Sequence, residues 1–532
     1  MLKLFWRWGW GLRHAMQVGV KAAAGFLLLI GSMLVSTPAV AGEWIEVSSA
    51  NFVVYSDADR ERVIALVRDL ELFRGVIGQI TPIEFPEQAQ SDPLIVFAYD
   101  STARYQKESH MDGTAGVYLT RHGRPVSVLS LEEPEEMWIP AGREVLLHEY
   151  THHLLHRYSP FNYPTWYDEG FAEYLSTIVF ESNRVTLGRP PVSRLIVLRN
   201  VSDWVELETI IESNAGYLGD LSSGLTLDPN KDKLGIPFQY AQGWLLTHML
   251  HSDADLRLRL GYFIAALNRE GPSETEALFE KHFGMDINEM DRRLRKYWRA
   301  LELPLLTVSL EKTARQVDPA VRSLEPRGQA LIDDLMRARS GLGRHGRGMR
   351  KRLESALEEG YRPALVREHL ARMALDDEKP ERAASHVQAL LDNHPDEIAG
   401  PVLEMRRLRR QAAEAPDDQT IARLARWCER ALGLDENHVE ALMLCVTADL
   451  DRPESVNATT LERVQRARAR SPDDFELKRL EVRVLGALDR FDEAIELADR
   501  FAAWSRSSQA QRQFEQLARD VEKLKNQEQP DT

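Results

Sequence analysis

The residues from 148 to 152 combine two histidines and a glutamate at a spacing that suits metal chemistry. The segment reads His148-Glu149-Tyr150-Thr151-His152, the pattern H-E-x-x-H. On a helix, residues four apart lie on one face about 6 Å apart, so both imidazoles can bind one Zn²⁺. Glu149 is rotated by about 100° from His148, which turns its carboxylate towards a water beside the metal. Apolar neighbours on nearly every side predict a buried helix, where such polar side chains need partners.

A catalytic zinc needs a third protein ligand and an open fourth position. Glu169 is the candidate, because 16 residues separate it from His152, enough for a turn and a return helix that faces the first. His153 and His156 also lie on the first helix, and we interpret both as surface or supporting residues. The sequence therefore predicts a metal site made by two helices.

The two segments together resemble the gluzincin metallopeptidases, the clan of thermolysin and the large zinc aminopeptidases. In that clan the ligands are the two histidines of H-E-x-x-H and the glutamate of an N-E-G-F-A-type segment further along the chain. Here Asp168–Ala172 reads D-E-G-F-A, with aspartate for the usual asparagine and a slightly shorter spacer. The resemblance implies that His148, His152 and Glu169 bind one Zn²⁺ per chain and that Glu149 is the general base.

The same resemblance implies roles for three further residues. Glu173, four residues after Glu169, falls where the clan often has a carboxylate that supports a ligand histidine, and we place Asp168 in the same supporting layer. Tyr240 is followed three residues later by Gly243, before an apolar helix. This is similar to a Y-x-x-G tyrosine of the clan's aminopeptidases, which donates to the oxyanion. The alternative is that Tyr240 only anchors its helix.

The function implied by the resemblance is hydrolysis of a peptide or protein substrate. Glu149 is expected to take the proton of the attacking water and pass it to the leaving amine, with zinc polarising the scissile carbonyl. The segment Gly116–Thr120 (G-V-Y-L-T) resembles the clan's substrate-binding edge strand but lacks the carboxylate that holds a free amino terminus in the aminopeptidases. We therefore expect an endopeptidase. The alternative is a catalytically silent scaffold, in which helical repeats bind a partner protein and the zinc domain is structural.

Hydrophobic periodicity predicts a mixed α and β region before residue 304. Alternating patterns indicate strands, whereas spacings of three and four indicate helices. The expected elements are, in chain order, a strand in Trp44–Tyr55, a helix in Asp57–Ile80, a buried strand at Leu94–Tyr99, a hairpin turning at residues 121–124, helices ending near Tyr158 and Phe180, a loop at Leu218–Gly235 and helices over Phe238–Leu301.

The chain changes character near residue 310. Of the 42 aromatic residues, 35 precede this point, and helical sequence rich in Leu, Ala, Arg and Glu follows it. Loops at Pro395, Glu436 and Pro472 recur at steps of 41 and 36 residues, which resembles tetratricopeptide repeats of about 34 residues. A generic helical bundle is the alternative. We predict an α+β zincin-type peptidase domain followed by an all-α tetratricopeptide-like solenoid, divided into a signal peptide (1–41), the peptidase domain (43–303), a linker (304–324), the repeats (325–515) and a polar tail (516–532).

The N-terminus has the layout of a secretory signal peptide. Lys21 precedes an apolar run, and Ala39–Ala41 (A-V-A) ends it with a small-x-small cleavage pattern. The stretch before Met16 is longer than usual, so Met16 is an alternative start. An uncleaved anchor is another alternative, because Ala22–Ala41 gives 20 uncharged residues, about the length of a membrane span. We expect a periplasmic or secreted protein with no membrane contact beyond this export signal.

Composition bears on the remaining classes of function. A formal charge of −15 repels a phosphate backbone, so no nucleic-acid partner is expected. Two cysteines are too few for a disulfide scaffold or for a zinc site built on thiolates. Cys428 and Cys445 lie on apolar helix faces, where packed thiols are the favoured interpretation and a disulfide is the alternative. The helical repeats are the expected surface for any protein partner.

Overall fold

The computed structural model describes residues 42–85, 93–121, 124–134, 140–181, 183–200, 204–212, 235–310, 317–342, 347–414, 418–505 and 507–528. The signal peptide predicted over residues 1–41 and nearly all of the loop predicted at Leu218–Gly235 lie outside these ranges. Within the ranges, no helix is long and apolar enough to cross a lipid bilayer.

The strands of the described chain form two sheets. The larger sheet has the order β4-β5-β3-β2-β1-β9 and the smaller one the order β6-β7-β8. β3 pairs in parallel with β2 and β5, whereas the other neighbours are antiparallel. The antiparallel pairing of β4 with β5 confirms the predicted hairpin. The strands are β1 (Ile45–Ser48), β2 (Phe52–Ser56), β3 (Leu94–Tyr99), β4 (Gly116–Arg121), β5 (Arg124–Ser130), β6 (Val179–Phe180), β7 (Arg184–Leu187), β8 (Leu306–Ser309) and β9 (Ala320–Ser323).

Helices make up most of the remaining described chain. The second helix of the motif region ends at Ser176 and not near Phe180, because Val179–Phe180 pairs with β7. The N-terminal half contains α1 (Arg60–Ile80), α2 (Thr102–Ser109), α3 (Gly142–Tyr158), α4 (Thr165–Ser176), α5 (Val192–Asn200), α6 (Leu207–Glu212), α7 (Gly235–Ser252), α8 (Ala254–Glu270), α9 (Thr275–Phe283) and α10 (Ile287–Ala300). The helical half contains α11 (Pro326–Ser340), α12 (Arg347–Glu358), α13 (Pro363–Asp376), α14 (Pro380–Asn393), α15 (Ala399–Glu414), α16 (Asp418–Leu434), α17 (Val439–Leu450), α18 (Ala458–Arg470), α19 (Phe475–Ala487), α20 (Phe491–Ala503) and α21 (Ser508–Glu528).

The central strand β3 is covered on both faces, which explains its continuous apolar sequence. Val96 packs in the main core with residues of α1 such as Val67. Phe97 belongs to a second core with Ile332 and Met336 of α11. The buried strand predicted here is confirmed, and a helix of the helical half covers its second face.

The segment predicted as a linker, residues 304–324, contains two strands of the sheets. β8 pairs with β7, and β9 pairs with β1 at the edge of the larger sheet. Both strands are short and partly exposed, so they carry little of the hydrophobic pattern from which strands are predicted. At the other end of the helical half, much of the predicted polar tail continues α21 as far as Glu528.

The described residues of the helical half contain one disulfide, which joins two neighbouring helices. Cys428 of α16 and Cys445 of α17 are bonded, with their Cα atoms 5.6 Å apart. That separation lies within the range that a disulfide requires. The favoured interpretation of packed thiols is therefore wrong, because the packing of neighbouring helices α16 and α17 brings the two sulfurs together.

Candidate metal centre

The two helices of the motif, α3 and α4, approach their neighbours closely at glycines. At Gly142, the first residue of α3, an added Cβ would lie 2.1 Å from the carbonyl oxygen of Ser130, so the helix begins directly against the hairpin. At Gly170 in α4, an added Cβ would lie 2.3 Å from Oγ1 of Thr247 and 2.5 Å from the carbonyl oxygen of Gly243 in α7. The glycines of D-E-G-F-A and of Y-x-x-G therefore meet where α4 crosses α7, which fixes the two motifs against each other.

His148, His152 and Glu169 converge on one point. Nε2 of His148 and Nε2 of His152 are 3.2 Å apart, and each lies 3.3 Å from Oε2 of Glu169. Ligands placed tetrahedrally at zinc distances of about 2.0–2.1 Å lie about 3.3–3.4 Å from one another. The predicted ligand atoms thus have the spacing that one tetrahedral Zn²⁺ requires. Each of the three side chains keeps 11–14% of its surface exposed, so water can reach the triangle.

A carboxylate lies behind each histidine of the triangle. Nδ1 of His148 is 3.4 Å from Oε1 of Glu173, and Nδ1 of His152 is 3.2 Å from Oδ1 of Asp168. An imidazole that donates from Nδ1 presents Nε2 as its metal-binding atom. Glu173 and Asp168 therefore lie beside the ring nitrogens that face away from the triangle, and the supporting role stays a prediction.

Arg194 lies beside the candidate site, although no motif of the sequence predicts it there. It lies in α5, is 1% exposed, and donates from Nη2 to Oε1 of Glu173. Burial by itself would raise the pKa of Glu173, but the guanidinium of Arg194 and His148 outweigh burial and hold that pKa below its usual value. Glu173 is therefore an anion that can accept from His148. One feature of the sequence does indicate that Arg194 has a buried partner. Arg194 lies inside the largely apolar segment Val192–Leu198, where a charged side chain needs an ion-pair partner.

Asp168 connects His152 to a second histidine. Its Oδ2 is 3.0 Å from Nε2 of His156, and Nδ1 of His156 pairs with Oδ2 of Asp473, in the turn between α18 and α19. His152, His156 and Asp168 also form a cluster of potential metal ligands. Because Asp168 is fully buried and its two oxygens face two different imidazoles, we interpret this cluster as a support behind the ligands. Of the surface and supporting positions predicted for His156, the structure thus favours the second, because the ring lies against Asp168 and is 14% exposed.

His153 packs among aromatic rings of the same region. Its ring stacks on that of Tyr150, with centres 5.7 Å apart and planes at 12°. Burial, together with the positive charge of Arg157, lowers the pKa of His153 to about 3. This histidine is therefore neutral at physiological pH, and it takes no part in the ligand triangle.

Glu149 and Tyr240 are the remaining site residues predicted from the sequence. Glu149 is half-buried on α3. Tyr240 is 6% exposed on α7, and the central carbon of the Arg194 guanidinium lies 5.5 Å from the centre of its ring. Burial and then the negative charge of Glu169 raise the pKa of Tyr240, and the charge of Glu149 acts in the same direction. The Tyr240 hydroxyl therefore stays protonated and can donate a hydrogen bond.

Strand β4 lies beside the helix that carries the two histidines. At Gly116 in β4, an added Cβ would lie 3.3 Å from Cβ of Val145 in α3. β4 pairs with β5 on one side and has no strand on its other side among the described residues. The main chain of an edge strand can pair with an extended peptide.

Among the described residues, three potential ligand atoms converge, a carboxylate lies beside each of the two histidines, Tyr240 lies against Arg194, and the edge strand β4 contacts α3. No protein-family model and no curated protein matches this chain. The chemistry of these side chains is therefore the basis for a functional assignment.

Proposed function

We propose that this protein is a zinc-dependent peptidase, with a zincin-type catalytic region and a tetratricopeptide-like helical region. The proposal is carried by the triangle of Nε2 of His148, Nε2 of His152 and Oε2 of Glu169, whose edges of 3.2–3.3 Å suit one tetrahedral Zn²⁺. The carboxylates behind both histidines add support, because such partners are typical of zinc sites. The resemblance of both motifs to the gluzincin peptidases points to the same reaction.

The side chains have distinct tasks in this reaction. Zinc, when bound, supplies a Lewis acid that polarises the scissile carbonyl and acidifies a water molecule. His148, His152 and Glu169 hold the ion. Glu149 accepts the proton of the attacking water and delivers it to the leaving nitrogen. Tyr240 donates from its hydroxyl to the carbonyl oxygen that becomes negative in the transition state.

The substrate is a peptide or protein cleaved within its chain. The edge strand β4 offers main-chain groups for pairing with an extended segment of substrate. Its sequence, G-V-Y-L-T-R, contains no carboxylate that would neutralise a free amino terminus. Because burying an unpaired ammonium is costly, binding of an internal segment is favoured. The helical half is the surface on which a protein partner would bind.

The protein is exported to the periplasm or secreted. Its disulfide between Cys428 and Cys445 is of a kind that persists in oxidising compartments. The signal-peptide pattern of residues 1–41 favours the same location.

The decisive test separates zinc binding from proton transfer. Glu149→Gln should keep one zinc per chain while cleavage of a peptide library falls by about 10²–10⁴-fold, because the amide cannot act as a base. His148→Ala, His152→Ala and Glu169→Ala should each release the metal. The matched control is His153→Phe, which preserves the stacking on Tyr150 and should retain zinc. Elemental analysis measures the metal, and mass spectrometry identifies the cleaved bonds.

Each alternative predicts a different result in this experiment. Zinc retained by Glu169→Ala would contradict the ligand assignment and favour Glu173 as the third ligand. A zinc-loaded wild type that cleaves no peptide would favour the scaffold, in which the helical half binds a partner protein. Release of single N-terminal residues faster than internal cleavage would contradict the endopeptidase proposal.

A further inference from the structure

The turn between α18 and α19 contacts the helix that carries the two ligand histidines. Oδ2 of Asp473 in this turn pairs with Nδ1 of His156 near the end of α3. Nε2 of His156 is 3.0 Å from Oδ2 of Asp168, and Oδ1 of Asp168 is 3.2 Å from Nδ1 of His152. A continuous row of polar contacts therefore runs from the helical half to a member of the ligand triangle.

We propose that Asp473 is a positioning residue of the metal centre, through which the helical half orients His152. The inference rests on the proposed zinc site and adds a contribution from the other half of the molecule. Asp473 touches neither the metal position nor a substrate. It acts through His156 and Asp168, which stand between it and the ligand.

The physical reason lies in how Asp168 is held. This carboxylate is fully buried, and the two imidazoles that face its oxygens contribute to its orientation. Without Asp473, the ring of His156 loses the acceptor at Nδ1 and is held less firmly, although its contacts with Asp168 and His152 remain. Asp168 then holds the ring of His152 less firmly, and such partners set both the orientation and the basicity of a ligand histidine.

The turn that carries Asp473 is itself anchored. The side chain of Asp474 accepts from the backbone N–H of Leu477 at 3.0 Å and so caps α19. Nζ of Lys478 lies 4.0 Å from Oδ1 of Asp473. Trp504, further along the helical half, packs against the core of the N-terminal half. Asp473 is therefore presented to His156 from a fixed position.

The expected effect is moderate. Loss of a direct partner of a ligand histidine typically weakens metal binding by about 10–100-fold. Asp473 acts one residue further away, and 62% of its side chain is exposed, so water screens its charge. We therefore expect zinc affinity to fall by about 3–10-fold when its carboxylate is removed.

The chain provides a matched control for this residue. Asp396, in the turn between α14 and α15, follows Pro395 just as Asp473 follows Pro472, and it is exposed. In the full-length protein, Asp473→Ala should weaken zinc binding, as measured by competition with a chelator, and Asp396→Ala should not. In a His156→Gln background, Asp473→Ala should weaken it no further, because the two residues act in series.

The alternative results are distinct. Unchanged zinc affinity in Asp473→Ala, with the melting temperature lowered equally in the zinc-free and zinc-loaded protein, would show that Asp473 only docks the helical half and would overturn the inference. Should the alanine variant fail to fold, Asp473→Asn keeps the volume and is expected to weaken zinc binding to a smaller extent. A His152→Ala variant that binds zinc as tightly as wild type would instead contradict the zinc site itself.

Discussion

The two histidines of the candidate metal centre are backed by residues that end in different environments. We call them the buried arm, made of His148, Glu173 and Arg194, and the exposed arm, made of His152, Asp168, His156 and Asp473. The buried arm stays within the N-terminal half and ends in a guanidinium that is 1% exposed. The exposed arm passes to the helical half and ends in a carboxylate that is 62% exposed.

This difference separates two physical tasks. Charges without access to water depend on each other, so we expect the buried arm to contribute to folding as well as to the proposed metal binding. In the exposed arm only the terminal charge, that of Asp473, is solvent-exposed, and such a charge contributes little to folding. Under the proposal above, removal of the Asp473 carboxylate is therefore expected to change zinc affinity more than folding stability.

The largest expected effect comes from breaking the buried arm. Arg194→Met leaves the carboxylate of Glu173 buried without its cation, which should lower the free energy of unfolding by about 3–5 kcal/mol and release zinc. Urea denaturation measures the loss. The control is Arg184→Met, which breaks an exposed pair with Glu181 and should leave stability unchanged. Equal losses in the free energy of unfolding of the two variants would show that the buried arm contributes no more to folding than an exposed ion pair does.

The second-largest effect is expected at Tyr240, which lies against the buried arm and is proposed to take part in the reaction. Tyr240→Phe removes only the hydroxyl and should lower turnover by about 10²–10³-fold, with zinc content and stability unchanged. Tyr262→Phe is the control, because Tyr262 is 59% exposed. Steady-state kinetics on a cleaved peptide measure the change. Near-normal turnover in Tyr240→Phe would leave this tyrosine with the task of anchoring α7.

The sequence predicts those parts of the site that depend on local spacing. His148 and His152 are four residues apart on one helix, and Glu173 lies four residues after Glu169, so helix geometry alone relates the members of each pair. Local spacing does not relate Glu169 to the two histidines, because they lie on different helices. That Glu169 lies close to them is predicted only from the resemblance to a known clan.

Long-range contacts account for what the sequence does not predict. Arg194 and Asp473 reach the site from α5 and from the turn after α18, and no periodic pattern relates them to the motif. The same is true of β9, whose four residues A-V-R-S pair with β1 from far along the chain. The disulfide likewise follows from how α16 and α17 pack.

The smallest effect comes from Gly170, which lies on α4 between Asp168 and Glu173 and thus between the two arms. In Gly170→Ala, the new methyl group would lie 2.3 Å from Oγ1 of Thr247 and 2.5 Å from a carbonyl oxygen of α7, so α4 must shift. Overpacking of this kind should lower the free energy of unfolding by about 1–3 kcal/mol and weaken zinc binding, because both supporting carboxylates move with the helix.

Gly261 in α8 is the matched control for Gly170, because there is open space where its Cβ would lie. Apart from its chain neighbours and the backbone of its own helix, no atom lies within 4 Å of the position that its Cβ would take. Gly261→Ala should therefore stabilise the helix by up to about 1 kcal/mol and leave zinc binding unchanged. Chemical denaturation and chelator competition on both variants make the comparison. A Gly170→Ala variant that gains stability as Gly261→Ala does, with zinc affinity intact, would show that the contact between α4 and α7 does not set the spacing of the arms. If zinc binding weakens in Gly170→Ala and not in Gly261→Ala, the contact between α4 and α7 positions the carboxylates beside both histidines.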